Sequence, residues 1–164
     1  MIWLVIVIIV IGGYYFIHNK FKNNDSLSNN VKKPSFISNI VSETEKNTYF
    51  RRVLFTGQKS QLVVMSIASG GEVGEDIHKY TEQTLFFLSG SGKAILDGKE
   101  SLINAGDVVV VTPGTKHNFI NTGSEPLKIY TVYAPPNHID GRIHLTKEDA
   151  DKDVADEAIG EVER

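Results

Sequence analysis

The sequence predicts an all-β barrel or sandwich preceded by one transmembrane helix. Two observations lead there. From Tyr49 to Tyr133, short apolar runs alternate with turn residues every ~8 to 12 positions, the texture of a domain built from many short strands. Residues 2–17, IWLVIVIIVIGGYYFI, carry no charge.

The apolar segment comes first in the chain. As a helix it would span roughly 24 Å, slightly short of a hydrocarbon core of roughly 30 Å. Phe21 extends it, and Lys20 and Lys22 can run their stems to the interface. Trp3, Tyr14 and Tyr15 suit the two aromatic belts. A cleaved secretory signal needs a basic n-region and a small-residue cleavage site. Only Ile2 separates Met1 from Trp3, and HNKFKNN follows the run, so an uncleaved anchor over residues 1–21 is expected. Lys20, Lys22, Lys32 and Lys33 follow it, and the positive-inside rule then places the rest of the chain on the cytosolic side.

Residues 22–46 are rich in Asn, Ser and Lys and read as a flexible tether. Within them, SFISNIV (35–41) is open between a short docking helix or strand and unstructured chain. The barrel itself is expected over residues 47–145. LDGKE (96–100) places Asp97-Gly98 between two strand-like arms, the strongest hairpin indication in the chain. DVVVV (107–111) is unbroken and β-branched, which predicts a strand buried on both faces. Phe86, Phe87, Val109, Val111, Phe119 and Tyr130 are expected in the core and pocket walls. Residues 146–164 hold eight carboxylates against three basic residues and read as a solvated, frayed acidic tail.

Composition excludes several chemistries. The chain has 164 residues, a net charge of -3 and no cysteine. Nucleic-acid binding therefore has no compositional support. Disulfides, thiolate metal sites and a cysteine nucleophile are absent.

The polar stretch EDIHKYTEQ (75–83) carries the candidate chemistry. In a strand, residues i and i+2 share a face, so Asp76 and His78 would project together. His117, in TPGTKHNFIN, can join them from a later strand. Two imidazoles and a carboxylate on one side of an ion leave open positions, a set suited to Fe(II), Mn(II) or Zn(II). Gln83 could add a neutral amide oxygen, either as a weaker fourth ligand or in support of the others. Glu75 is out of phase with Asp76 and should face away. On spacing alone the alternative stays open, because Asp-x-His pairs are frequent on surfaces. His138, Asp140 and His144, in NHIDGRIH, are open between a second metal site, a lid and a solvated polar loop. No residue outside the ligand set stands out as a general base.

A wider pattern binds these residues together. Gly70 is followed by five residues, Asp76-Ile77-His78, four residues, Gln83, six residues and Gly90. Gly106 is followed by five residues, Thr112-Pro113-Gly114, two residues, His117, three residues and Asn121. Two motifs in this register resemble those of the cupin superfamily. They depart from its pattern at Asp76, where the first histidine would stand, at Gln83, where a glutamate would stand, and at Pro113, displaced by one position. SQLVVMSI and LKIYTVYAPPNHIDGRIH extend the resemblance to small single-domain bacterial cupins that often carry a mannose-6-phosphate isomerase-like label.

The resemblance implies a double-stranded β-helix, or jelly-roll barrel. It also implies a divalent metal (Fe, Mn or Zn) held by His78, His117 and Asp76 with Gln83, and a small-molecule ligand. Dimers through an edge strand are common among such relatives, so a homodimer is a further expectation. Sugar isomerisation or epimerisation and dioxygenation are the reactions it suggests. The competing reading is a non-catalytic ligand-binding or dimerising scaffold that has lost its metal. No organic cofactor is expected.

Overall fold

The computed structural model describes residues 35–160. The expected anchor, residues 1–21, and residues 22–34 of the tether lie outside them. A short helix α1 (Ile40–Lys46) opens the described chain and is followed by ten strands. These are β1 (Arg51–Thr56), β2 (Gln61–Ile67), β3 (Asp76–Ile77), β4 (Glu82–Ser89) and β5 (Ser91–Leu96), then β6 (Lys99–Asn104), β7 (Val108–Val111), β8 (Lys116–Asn121), β9 (Leu127–Ala134) and β10 (Ile143–His144). Two helices close it, α2 (Lys147–Asp151) and α3 (Val154–Gly160).

The strands form two sheets, ordered β10-β1-β2-β9-β4-β7 and β3-β8-β5-β6. Every pairing is antiparallel. Strand alternation decides which residues meet between the sheets. In β9, Leu127, Ile129, Thr131 and Tyr133 are buried and their neighbours are not. Val63, Met65, Leu85, Phe87 and Ile129 from the larger sheet pack on Ala94, Ile103 and Phe119 from the smaller. Phe87 and Phe119 meet across this core with ring centroids 5.7 Å apart. The β5–β6 hairpin turns at Asp97 (φ 47°) and Gly98 (φ 79°), the pair of positive φ values a two-residue I′ turn requires. Gly92 allows a close approach of β5 to β8, since a Cβ there would lie 2.2 Å from the Ile120 carbonyl oxygen.

Several expectations are corrected. No helix among the described residues is long and apolar enough to cross a membrane. They have seven, five and seven residues, where a span takes about 20. Among the described residues the fold class is the all-β barrel with no membrane-spanning helix, and the single-pass membrane placement with the barrel on the cytosolic side is not retained. The valine run is an edge strand rather than a doubly buried one. Among the described residues β7 pairs only with β4, and Val108 and Val110 are 54% and 50% exposed. Phe86 and Tyr130 are half-buried and stack at 4.8 Å, on the opposite side of their strands from Phe87 and Ile129.

The described part of the acidic tail, residues 146–160, is ordered. Thr146 caps α2 in a reciprocal capping box with Asp149. In α3, Asp156 is 1% exposed and accepts from His138 Nδ1 at 2.9 Å, Ile139 N at 2.7 Å and Arg51 Nη2 at 3.2 Å. Asp153 takes His144 Nε2 at 3.0 Å and pairs with Arg142 at 2.7 Å. The tail is thus tied by its carboxylates to β1, β10 and the loop after β9. A run of acids that would fray in water is held because its cationic and imidazole partners lie on the barrel.

The clamp has a pH signature. Burial opposes the Asp156 charge, but the His138 hydrogen bond and charge outweigh it, with help from Ile139 and Arg51, and its pKa falls to about 2. His138 is driven down to about 4, chiefly by burial. Both folded pKa values lie below the unfolded ones, so the contribution of this pair to stability is full above about pH 6.5. It falls first as unfolded His138 protonates, between about pH 6.5 and 4, then as Asp156 does, toward about pH 2. Urea titrations across this range are expected to show a shallower acid limb for Asp156→Asn than for the native chain. At pH 7, Asp156→Ala should cost about 2–4 kcal/mol, since it strands Arg51 and His138 without their anion.

Candidate metal centre and its cleft

Strand register assembles the centre. β3 pairs antiparallel with β8, setting Asp76 directly opposite His117. His78 follows two residues after Asp76. The ligand-capable atoms of Asp76, His78 and His117 all lie within 4.8 Å of one another. Asp76 Oδ2 is 3.5 Å from His78 Nδ1, and the two imidazole centroids are 4.9 Å apart. The two histidines are 7% and 2% exposed, while the Asp76 side chain is 55% exposed. The carboxylate therefore sits at the rim, not in the interior, and the imidazoles sit below it.

Second partners orient these groups. His117 Nδ1 lies 2.9 Å from the Thr115 carbonyl oxygen. A carbonyl only accepts, so Nδ1 carries the hydrogen and Nε2 keeps its lone pair. Asp76 Oδ1 accepts from Ile77 N at 2.6 Å, which pins the carboxylate. Burial lowers the His78 pKa, the Asp76 charge pulls it back up, and His117 adds to the lowering. A neutral imidazole is the form a cation needs.

Gln83 enters from the opposite sheet. It lies in β4 across from Val111 and Tyr133, and it is 2% exposed. It sits beside His78, whose protonated form it favours, yet its Oε1 is buried without a hydrogen-bond partner. An orphaned buried acceptor is costly unless something fills it. Two imidazoles, one carboxylate and an amide oxygen form a donor set that fits a divalent cation such as Fe(II), Mn(II) or Zn(II). Glu75 stands apart, bonded to Lys116 Nζ at 2.7 Å, and Glu72 takes Asn118 Nδ2 at 2.8 Å.

The structure adds residues that spacing did not reveal. Asn137 Nδ2 is 3.4 Å from His78 Nδ1. Tyr133 stands edge-on to both His78 and His138, at 5.6 Å and 4.9 Å. A cleft of about 360 Å³ opens beside His78 and Asp76, walled by Arg51, Asn137, His138 and the tail helices. NHIDGRIH is neither a solvated loop nor part of the metal cluster. His138 and His144 are buried and pair with Asp156 and Asp153. Those partners lie 18 and 9 residues further on, with no motif spacing to announce them. Tyr80 is 40% exposed, and the cleft wall does not include it.

Comparisons with known proteins agree with this architecture. The family model described as Cupin domain matches residues 63–133. The protein YrkC of Bacillus subtilis (strain 168) is 35% identical over 140 residues, covering 82% of this chain and 75% of YrkC. The crystal structure of BH2720 from Bacillus halodurans superposes with a TM-score of 0.71 at 36% identity, over 73% of this chain and 96% of that one. A Klebsiella pneumoniae protein with a double-stranded β-helix domain superposes with a TM-score of 0.55 at 26% identity, over 69% of this chain and all of that one (100%). The paired motifs, the two facing antiparallel sheets and these matches lead to one assignment: the chain belongs to the cupin family.

Proposed function

We propose that the barrel holds one divalent cation through His78, His117 and Asp76, with Gln83 as a weaker oxygen donor, and that the adjoining cleft takes a small molecule. The observation that carries this is the convergence of three ligand atoms within 4.8 Å. The orphaned Gln83 Oε1 supports it. A divalent cation there would act as a Lewis acid toward an oxygen of the bound molecule. The chain's own residues supply the rest. His117 is kept in one tautomer by Thr115, His78 is held neutral by burial, and Asp76 stands at the rim between cleft and solvent. By resemblance, isomerisation or epimerisation of a sugar and dioxygenation are the reaction classes to assay first. The mannose-6-phosphate isomerase-like label gains nothing further from the comparisons.

A second reading, a scaffold cupin that dimerises, draws on the free edge of β7. Its Val108 and Val110 are half-exposed beside the stacked Phe86 and Tyr130. Unpaired apolar edges are surfaces that chains cover.

The readings separate by experiment. Protein purified without chelator is expected to carry about one equivalent of Fe, Mn or Zn, and added Zn(II) at 100 times its Kd should stabilise it by about 2.7 kcal/mol. His117→Ala should abolish that rise; a native chain with no metal and no rise would defeat the cation reading. Gln83→Glu adds the missing charge and should tighten Zn(II) about tenfold, or about 1.4 kcal/mol, by competition titration. For the edge, Val110→Lys should turn a dimer into a monomer by light scattering, whereas a native monomer counts against the scaffold.

A further inference from the structure

Two residues that line the cleft beside the triad carry further orphaned acceptors. Asn137 Oδ1 and His138 Nε2 are buried without hydrogen-bond partners, on adjacent residues that both line the cleft. Each residue is 6% exposed. The chain's fold already uses the other end of each side chain. Asn137 Nδ2 faces His78 at 3.4 Å, and His138 Nδ1 is bonded to Asp156 at 2.9 Å. Since the Asp156 carboxylate accepts, His138 Nδ1 carries the hydrogen and Nε2 is left as a lone pair. Burial keeps the ring neutral down to about pH 4, so that lone pair persists at neutral pH.

The charge around these acceptors is mainly negative. Six carboxylates line the cleft against two cations, Arg51 and Lys147. Both cations are occupied, Arg51 by Asp156 at 3.2 Å and Lys147 by Asp151 at 2.7 Å. Among the described residues no cation pairs with Glu72, Asp151 answers only to Lys147, and Glu157 makes no ion pair. A phosphate or carboxylate entering here would meet an excess of like charge.

We propose that the cleft binds a small, donor-rich molecule without negative charge, a polyol or an amine, whose hydroxyl or ammonium hydrogens fill Asn137 Oδ1 and His138 Nε2. This deepens the reading of the cleft as a ligand site, and it sets the class of ligand apart from sugar phosphates. Hydroxyl and ammonium share the chemistry of donating to an acceptor, and a charge series tells them apart.

The full chain, kept metal-free in chelator, is titrated with glucose, glucosamine and glucose 6-phosphate while the His138 ring and Asn137 side-chain amide resonances are followed by NMR. Glucosamine and glucose are expected to shift both sets saturably, with glucose 6-phosphate at least tenfold weaker. Saturation by glucosamine alone identifies an ammonium as the donor, and comparable saturation by both identifies hydroxyls. Glu157→Gln should narrow the gap to glucose 6-phosphate, and Asn137→Ala should weaken the preferred hexose about tenfold. His138→Phe should do the same, and if it fails to fold the Asn137 and Glu157 variants decide. The proposal is overturned if glucose 6-phosphate binds as well as glucose, if no probe moves these resonances, or if Asn137→Ala leaves binding unchanged. Because chelator is present throughout, these outcomes are independent of whether Zn(II) raises the melting temperature.

Discussion

The candidate centre depends on one register, Asp76 opposite His117 in the pairing of β3 with β8. β3 is only two residues long, yet its pairing brings a carboxylate and two imidazoles to one place. A slip by one residue would turn Ile77 toward the histidines and Asp76 away, because strand side chains alternate faces. Such a short strand cannot hold this register by its own hydrogen bonds. Its surroundings do so. Glu72 bridges to Ile120, Val73 N donates to Phe119 O at 2.9 Å, and Gly114 N donates to His78 O at 2.8 Å. Lys116 and Glu75 add an ion pair across the same junction.

The sequence carried much of this and missed part of it for identifiable reasons. Alternation in β9 and the Asp97-Gly98 turn are local properties, and both appear in the fold as they read in the chain. The spacing of Asp76 and His78 was equally legible, and so was the contrast with Glu75. DVVVV was misjudged because composition reports that a strand is apolar but not how many neighbours it has. Phe86 and Tyr130 were assigned inward, although they fall on the face opposite to Phe87 and Ile129. The tail was the largest miss. Its acids read as solvated because their partners, Arg51, His138, Arg142 and His144, are scattered over the chain, and their convergence is a tertiary fact.

That convergence changes the character of the cleft. The barrel contributes the imidazoles and the rim carboxylate, but α2 and α3 contribute the facing wall, through Lys147, Asp151, Glu157 and Gly160. Gly160 packs so closely on Asn137 that a Cβ would lie 2.8 Å from its Oδ1. The end of α3 and the neighbour of His78 are therefore in mechanical contact.

Here the family match and the working unit part company. The matched segment, residues 63–133, contains all four candidate ligands but excludes Arg51, Asn137, His138 and both tail helices. A gene fragment cut to those limits would keep the four candidate ligands and discard the cleft wall built by Arg51, Asn137, His138 and the tail helices. The wall that faces the candidate centre is thus supplied by chain outside the matched segment, while the centre itself lies within it.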